Sequence, residues 1–327
     1  MIELRLPENY ASAYTGAIYE VESASTTKPC SIEVIDVDAG ATIGVRRVQY
    51  TNNNTINIGR YLSRVLDPKP IVAQQGFVLP EGRDVGISLL AEEEMCEVRR
   101  FTSSLTNLSD NKLLSTLTSR TIAAGDSDEI SLFAKPGKVT ISVFFAGEQQ
   151  GQKVAEYQHG GGLISYSLNL DMLLAAHQQG EEVKHFRVVA AIDGATLAEI
   201  EYTVRLASPH NVRLAWLNPY GAIDYYTFIS LGSLLRTEKE RIVGSEGVRV
   251  VCAQGCWEEV LSSGYIATRT AKALSSLLSS PRVWRCDGEK LGEVDLTEES
   301  MTISDGDSLT ALRVVIREAQ PLVTQIF

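Results

Sequence analysis

The sequence predicts a mainly β protein, built from two or three β-sandwich-like domains with a few short helices. Short runs of β-branched and aromatic residues that alternate with polar residues recur along the whole chain, as they do in half-buried strands. Turn signals rich in glycine, proline, asparagine and aspartate separate these runs. Helical periodicity is confined to short stretches. At 327 residues, the chain is long enough for several domains that each bury a core without disulfides.

The first predicted domain, residues 1–115, is an N-terminal β-sandwich. An interruption of the alternation between Val34 and Ile35 predicts a β-bulge. Residues 56–66 are expected to form a strand that leads into a short helix, which Asp67-Pro68 stops. Residues 103–119 have the composition of a linker, with a short helix at 110–117. The predicted strands cover 17–22, 31–38, 45–50, 76–79, 85–91 and 96–101.

The second predicted domain, residues 116–205, is another β-sandwich. One short helix is expected from Asp171 to His177, ending before Gly180. The Asp193-Gly194 pair predicts a tight hairpin between two strands. The predicted strands cover 130–133, 140–145, 163–168, 185–192 and 199–206.

The third predicted domain, residues 206–327, is β-rich with one amphipathic helix. The apolar positions of that helix follow helical spacing, and Pro281 ends it. They are Ala267, Ala271, Leu274, Leu277 and Leu278. Strands at 242–243 and 248–252 flank a turn at 244–247. Further strands are predicted at 282–286, 293–296 and 309–316.

An aromatic stretch from Arg213 to Phe228 organises the third domain as a strand, a turn and a second strand. Residues 218–221 (Asn-Pro-Tyr-Gly) predict a type II turn, with glycine accepting a positive φ. One interpretation is a core strand pair with Trp216 and Tyr226 buried. The other is an interface hot spot, since tryptophan and tyrosine dominate such surfaces. Both can hold, because alternate residues of a strand face opposite ways.

The charge distribution argues against a nucleic-acid-binding protein. The formal net charge is -11, and acidic residues outnumber basic ones in each predicted domain. Phosphate binding needs clustered lysine and arginine, which the chain lacks. The N-terminus does not resemble a signal peptide, and no stretch is apolar enough to insert in a membrane. We therefore expect synthesis in a cytoplasm, with the five cysteines as small, reduced, buried side chains.

No motif in the sequence predicts catalysis, a cofactor or a metal. His159 precedes three glycines as in some esterases, but the nucleophile motif Gly-x-Ser-x-Gly is missing. The four histidines lack compact ligand spacing. The acidic turns at 126–129 and 305–307 are incomplete calcium loops. The carboxylate pairs at 36/38 and 258/259 are typical of surface charge. The chain is therefore predicted not to be an enzyme.

The aromatic stretch resembles a signature of uncharacterised structural proteins of phages and prophages of Bacteroidota. Residues 212–228 resemble the pattern W-x-N-x-x-G-x-x-D-x-Y-x-F of these tail and virion proteins. Residues 274–284 (Leu-Ser-Ser-Leu-Leu-Ser-Ser-Pro-Arg-Val-Trp) resemble a helix and its "L-L-x-S-P-x-V" stop in the same proteins. A valine-rich closing segment follows at 312–316. One departure is Gly221-Ala222, where a second glycine is usual.

The resemblance implies a tail or virion structural protein that self-assembles and docks to neighbouring particle proteins. It implies synthesis in the host cytoplasm and later residence in the particle. The predicted interface residues are Trp216, Tyr220, Tyr225 and Trp284. Partners are copies of the chain and other particle proteins, without direct nucleic-acid binding. The alternative is a non-catalytic surface- or carbohydrate-binding module of the adhesin type. A hydrolase around His159 or an acidic pair is a third hypothesis.

Overall fold

The protein is mainly β, as predicted, with two sandwiches followed by a closed barrel. The computed structural model describes residues 2–24, 30–48, 55–72, 75–91, 93–148, 150–177, 183–244, 247–297, 308–318 and 323–326. Four of its five sheets pack in pairs around two apolar cores, and the fifth sheet closes on itself. Among the described residues, no helix has the length and apolar content needed to cross a bilayer.

The first sandwich packs a three-stranded sheet, β1-β3-β6, on a sheet of order β2-β10-β8-β4-β5 to which β9 adds at β8. Tyr19 and Ile56 from the first sheet meet Val34, Ile87 and Phe101 from the second in its core. The elements are β1 (Ile2–Arg5), β2 (Ala11–Ser12), β3 (Ile18–Ala24), β4 (Cys30–Asp36), β5 (Ala41–Val48), β6 (Thr55–Asn57), α1 (Gly59–Val65), β7 (Gly76–Val78), β8 (Asp84–Ala91), β9 (Glu94–Met95) and β10 (Arg99–Thr102).

Two local predictions for this sandwich are confirmed. The register of β4 against β5 shifts between Val34 and Ile35, so the interrupted alternation does mark a bulge. Helix α1 ends one residue before Leu66, and Asp67-Pro68 follows it. The end of the strand predicted at 45–50 lies outside the described residues, because their description stops at Val48.

The second sandwich packs sheet β11-β13-β16-β7 on sheet β12-β18-β17-β14-β15. Alternate residues of β14 point into its core, with Val139, Ile141 and Val143 all buried. The elements are β11 (Lys112–Leu113), β12 (Ser119–Ala123), β13 (Ser127–Ala134), β14 (Gly137–Phe145), β15 (Gln152–His159), β16 (Gly162–Asn169), α2 (Leu170–His177), β17 (His185–Ile192) and β18 (Ala195–Arg205).

The hairpin and the helix predicted for this sandwich are confirmed. Asp193 and Gly194 have φ of 48° and 82°, the left-handed values that a tight two-residue hairpin loop requires, and they join β17 to β18. Helix α2 spans the predicted 171–177. The helix predicted at 110–117 is wrong, because that segment contains the short strand β11 instead. Its leucines Leu114 and Leu117 are buried between domains, which an isolated linker helix would not achieve.

Strand β7 crosses from the first sandwich into the second. It follows α1 in the chain, yet it pairs antiparallel with β16, Phe77 standing opposite Tyr166. The two rings meet edge to face at 5.4 Å. Strand β11, which precedes the predicted boundary at 115, also lies in the second sandwich. The second sandwich therefore takes two of its strands from the N-terminal side of that boundary.

The third domain is an antiparallel barrel of six strands. Around the barrel the order is β20-β19-β22-β23-β24-β21, and β21 pairs back with β20 to close the ring. Strand β25 adds to β21 outside the ring. The elements are β19 (Asn211–Leu217), β20 (Ile223–Gly244), β21 (Gly247–Ala267), α3 (Thr268–Leu274) with a 3-10 turn (Ser275–Leu277), β22 (Val283–Asp287), β23 (Lys290–Leu296), β24 (Leu309–Glu318) and β25 (Val323–Ile326).

Helix α3 and its 3-10 turn confirm the predicted amphipathic helix. Leu274 and Leu277 pack with Trp216 and Phe228 in the barrel core. Arg269 and Lys272 lie on the opposite side of the helix and are exposed to solvent. The wall strands contribute every second residue to this core, as β geometry requires. From β19 these are Val212, Leu214 and Trp216.

Candidate protein-interaction surface

The predicted interface residues lie inside the molecule. Trp216 is fully buried in the barrel, where its indole nitrogen donates to the Ser276 hydroxyl at 3.0 Å. Tyr226 is also buried, so the predicted core interpretation of the aromatic stretch is confirmed. Tyr225 and Trp284 point the other way, into a second buried cluster with Leu217. These three predicted residues have no surface to offer another protein in this structure.

Tyr220 lies at the contact between domains of the same chain. It is half-buried beside Leu108 and Leu114, and the Lys112 ammonium stands 3.9 Å from the centre of its ring. Its neighbour Pro219 accepts a backbone hydrogen bond from Leu105 at 2.9 Å. Trp216, Tyr225 and Trp284 thus make buried contacts within one chain, and an intermolecular surface at Tyr220 stays a prediction.

The turn at 218–221 fits closely against the first sandwich. It is hydrogen-bonded from Gly221 N to Asn218 O at 3.0 Å, but the positive φ of 74° falls on Gly221 and not on Tyr220. It is therefore not the predicted type II turn. A Cβ at Gly221 would lie 2.6 Å from both Ser103 Oγ and Ser104 N.

Replacing Gly221 with alanine is therefore expected to destabilise the protein by more than about 2 kcal/mol, because the new methyl group meets strain and a backbone contact together. Gly40→Ala is the matched control. Gly40 has a φ of 65°, and no atom lies within 4 Å of the position of its missing Cβ. That variant should lose only about 1 kcal/mol, the cost of the left-handed conformation. If chemical unfolding gave equal losses of stability for the two variants, the close fit of the turn at Gly221 would be contradicted.

A buried ion network joins the second sandwich to the barrel. Arg120 contacts Asp128 at 2.5 Å and Asp224 at 3.4 Å, and all three side chains are fully buried. Arg213 contacts Asp128 at 3.2 Å and donates to the Thr121 and Ser127 carbonyls. Asp224 also accepts bonds from the Thr116 amide and hydroxyl. Buried charges need such partners, so the acidic turn at 126–129 holds domains together and does not form a calcium loop.

The first sandwich contributes one arginine to the same region. Arg83 pairs with Glu129 through both terminal nitrogens, and the Ser131 and Ser165 hydroxyls donate to the same carboxylate. Burial alone favours the neutral acid, but the Arg83 guanidinium and these hydroxyls hold the pKa of Glu129 below its ordinary value of 4.5. The carboxylate is therefore ionised in the folded protein.

This pKa shift predicts a loss of stability in acid. In the unfolded chain Glu129 binds a proton at higher pH than in the folded chain. Its contribution is therefore complete above about pH 4.5 and is lost as the pH falls through the lower, folded pKa. Melting temperatures between pH 7 and 3 should fall less steeply for Glu129→Gln than for the wild type. Melting temperatures that fall equally steeply with pH in both proteins would contradict the lowered pKa of Glu129.

The exposed feature of the third domain is a long hairpin that leaves the barrel. Strand β19 stops pairing with β20 at Ile229, and β24 stops pairing with β21 at Glu258. Beyond these points β20 and β21 continue as a ribbon. We call residues 231–244 and 247–257 the β-arm. A bulge at Gly232, whose φ is 149°, marks where β20 leaves the barrel wall.

One face of the β-arm is apolar and exposed. Leu235 stands opposite Trp257, and Val243 stands opposite Val248, so each pair shares a face. Val250 continues the same face, opposite Arg241. The exposed fractions are 42% for Leu235, 46% for Trp257, 84% for Val243 and 64% for Val248. This is the apolar face of the β-arm, and its charged side chains, Lys239 and Arg241, are both basic.

The opposite face of the β-arm carries charges of both signs. It holds Arg236, Glu238, Glu240 and Arg249, with Leu234 and Ile242 near its ends. Arg236 contacts Glu258 at 3.0 Å, and Glu259 contacts Arg285 at 2.6 Å. Both carboxylates of the 258/259 pair are thus neutralised by arginine at the base of the β-arm. That arrangement is structural and does not suit a pair of catalytic acids.

The remaining candidates do not converge on a reactive site. The His159 ring contacts the Gly162 carbonyl at 3.2 Å, and His177 stacks on Phe145. Within the described residues, no group of three or more His, Cys, Asp or Glu side chains is arranged to hold a metal. Asp36 and Asp38 bind neighbouring amides, at Ala39 and Gly86. The acidic pair at 305/307 lies outside the described residues.

The cysteines differ from the prediction in their burial. Cys96, Cys252, Cys256 and Cys286 form no disulfide among the described residues, and each is half-buried and not buried. Cys252 and Cys256 belong to the β-arm. Burial raises the pKa of Cys286 to about 12, so its thiol stays neutral at ordinary pH. For Cys30 only the backbone is described.

The sequence predicts the tip of the β-arm but not the rest of it. The strands predicted at 242–243 and 248–252 and their turn form its tip, although residues 245–246 of that turn lie outside the described residues. The sequence does not predict the exposed position of Trp257, since no apolar alternation surrounds it. The available sequence signal is a tryptophan that stands next to charged residues.

Comparisons with known proteins identify no relative of this chain. No protein-family model and no curated protein matches it. Solved structures that align include fibronectin(III)-like modules of CbhA from Clostridium thermocellum, at 12% identity and a TM-score of 0.19, covering 63% of this chain and 95% of that one. Chicken CNTN1 FN1-FN3 domains align at 6% identity and a TM-score of 0.25, covering 96% and 97%. Domains 4-9 of surface layer protein SbsC align at 11% identity and a TM-score of 0.22, covering 98% of this chain and 44% of that one. At these scores the alignments identify no family.

Proposed function

We propose that this protein is a non-catalytic assembly subunit that binds other proteins through its β-arm. The apolar face of the β-arm is the observation that carries the proposal. Outside Cys252–Gly255, where β25 adds to it, the β-arm is a two-stranded ribbon, which is marginal in water by itself. Burying its valines, leucine and tryptophan against a partner would add roughly 25 cal/mol for each Å² covered. A protein partner therefore stabilises both the complex and the ribbon.

The rest of the molecule suits this role because it fixes the base of the β-arm. The ion network and the shared strands hold the two sandwiches and the barrel together, so a force on the β-arm is transmitted to the whole chain. A tail or virion position, as the sequence resemblance implies, is the setting that we propose for this subunit. Partners would then be copies of the chain and neighbouring particle proteins.

The test is a double substitution at the tip of the apolar face, Val243→Ser with Val248→Ser. Both side chains are exposed, so the free energy of unfolding should change by less than about 0.5 kcal/mol. We expect the purified wild type to associate with rising concentration in sedimentation analysis. We expect the double variant to associate at least tenfold more weakly, because about 2 kcal/mol of apolar contact is lost.

Val45→Ser is the matched control, since Val45 is 56% exposed on a strand far from the β-arm. It should associate like the wild type. Electron microscopy of the concentrated wild type should show discrete oligomers, rings or fibres. Equal association of the tip variant and the wild type would exclude the apolar face as the binding surface.

A further inference from the structure

Strand β20 presents an open edge along the whole β-arm. Its only strand partner over 231–244, among the described parts of the chain, is β21. The far side of β21 is covered over Cys252–Gly255 by β25. Every side chain from 231 to 244 is exposed. An open edge of this length is a template for pairing with another strand.

The length of the open edge selects one register if the second strand is the same β20 from another copy. Strand β20 runs from the bulge at Gly232 to the turn at Gly244 without a further extra residue of its own, because the register shift at Glu240 and Arg241 places its extra residue, Val251, in β21. An antiparallel pair of identical strands that overlaps fully has its two-fold axis at the middle residue, Glu238. The axis is perpendicular to the sheet, so residues on one face stay on that face.

In that register the cross-strand neighbours are complementary. Arg236 of one copy stands opposite Glu240 of the other, and this pair occurs twice. Leu234 stands opposite Ile242, also twice. Such opposite-charge and apolar pairs each contribute roughly 0.2–1 kcal/mol. The one like-charge pair is Glu238 with its own copy at the axis, and Arg241 stands opposite Leu235. A shift by two residues toward the turn sets Lys239 against itself and Glu238 against Glu240.

We propose that two copies of this chain pair antiparallel through their β20 edges, about a two-fold axis at Glu238. This inference rests on the proposed function and names a second copy as the partner of the arm's edge. The result is a continuous four-stranded sheet, β21-β20 with β20-β21 of the second copy. Because the axis preserves faces, both apolar faces lie on the same side. The pair therefore offers a doubled apolar surface to a further protein.

The charges of the edge also limit which strand can pair there. Protected edges carry charges that repel any approaching strand. Here the signs alternate between Arg236, Glu238, Lys239, Glu240 and Arg241, so a strand without the matching sequence meets unpaired charge. In an identical copy, Arg236 and Glu240 meet each other. The same residues thus favour self-pairing and oppose unspecific aggregation.

Site-specific cross-linking tests the register. With Cys252 and Cys256 replaced by serine, Glu238→Cys places two thiols directly opposite each other at the axis. Their Cα atoms would be about 4.5–5.5 Å apart, within the range of a disulfide. Thr237→Cys is the control, because its two copies would be roughly 8 Å apart. We expect mild oxidation to link the first variant into covalent dimers and to leave the second without a covalent link. Peptide mapping would verify the position of the linkage.

Charge exchange tests the pairing energy in the otherwise native chain. Glu240→Arg alone should weaken dimerisation at least tenfold, because it sets arginines opposite each other twice. Adding Arg236→Glu should restore at least threefold of that loss, and not all of it, because Arg236 is also the ionic partner of the buried Glu258. Glu238→Gln, which removes the like-charge pair, should strengthen dimerisation about threefold. Circular dichroism would verify that each variant is folded.

The outcomes separate this inference from the proposed function. Cross-linking at 237 in preference to 238, or a double exchange that fails to restore dimers, would overturn the two-fold pairing at Glu238. In either case the effect of Val243→Ser with Val248→Ser still decides whether the β-arm binds proteins. Loss of association in that tip variant, with no dimer through β20, would retain the proposed function alone.

Discussion

Replacing Arg120 with methionine is expected to lower the free energy of unfolding by about 3–5 kcal/mol, the typical result of removing one partner from a buried ion pair. Methionine fills much of the same space but leaves the Asp224 carboxylate without its guanidinium. Asp128 retains only Arg213 as an ionic partner among the contacts described. Urea unfolding followed by tryptophan fluorescence measures the change.

Arg187→Met provides the control for this experiment. Arg187 contacts Glu199 at 3.1 Å, but the two side chains are 40% and 50% exposed. Water already solvates both charges, so the loss should stay below about 1 kcal/mol. Comparable losses for Arg120 and Arg187 would show that the buried network contributes no more than a surface pair.

Replacing Trp216 with alanine should destabilise the protein by about 3–5 kcal/mol. The substitution empties the centre of the barrel and leaves the Ser276 hydroxyl without its indole donor. Trp257→Ala makes the same chemical change on the apolar face of the β-arm, where the side chain is half-exposed. It should cost less than about 1 kcal/mol of stability and should weaken association instead.

The two tryptophan variants therefore separate folding from binding. We expect Trp216→Ala to melt at lower temperature, and its association should follow the folded fraction. Trp257→Ala should melt near the wild-type temperature and should associate more weakly at every concentration. The reverse assignment, with Trp257 supporting the fold, would contradict the exposure of the β-arm.

Local signals in the sequence predicted local structure well. The bulge at Val34 and Ile35 follows from a break in alternation, and the hairpin at Asp193-Gly194 follows from residues that tolerate positive φ. Helix α3 follows from apolar spacing and a terminal proline. Each of these depends on residues within a few positions of one another, and therefore needs no knowledge of the tertiary contacts.

Pairings between distant residues could not be predicted in this way. The barrel closes where β21 meets β20 and β24, and those contacts join residues far apart in the chain. Strand β7 reads as an ordinary strand of the first sandwich, yet it completes a sheet of the second. A β pattern indicates that a strand has a buried face, but it does not say which sheet supplies the neighbours.

The predictions for the aromatic stretch and for the β-arm were incomplete for opposite reasons. Tryptophan and tyrosine are abundant both in cores and at interfaces, so composition alone could not decide between them at Trp216 and Tyr225. Five of the six β-arm residues from Arg236 to Arg241 are charged, and glutamate and lysine have low strand propensity. Their strand geometry comes from pairing with β21 and not from their own preference.

The crossing of β7 makes the first two domains unsuitable as separable modules. If residues 116–327 were produced alone, β16 would lose the neighbour that covers its edge, and Tyr166 would lose its contact with Phe77. If residues 1–115 were produced alone, Arg83 would retain its charge without Glu129. Neither half could be exchanged with a homologous half unless the contacts between the two sandwiches were redesigned. Insertions and deletions should therefore be tolerated at the tip of the β-arm more readily than between the sandwiches.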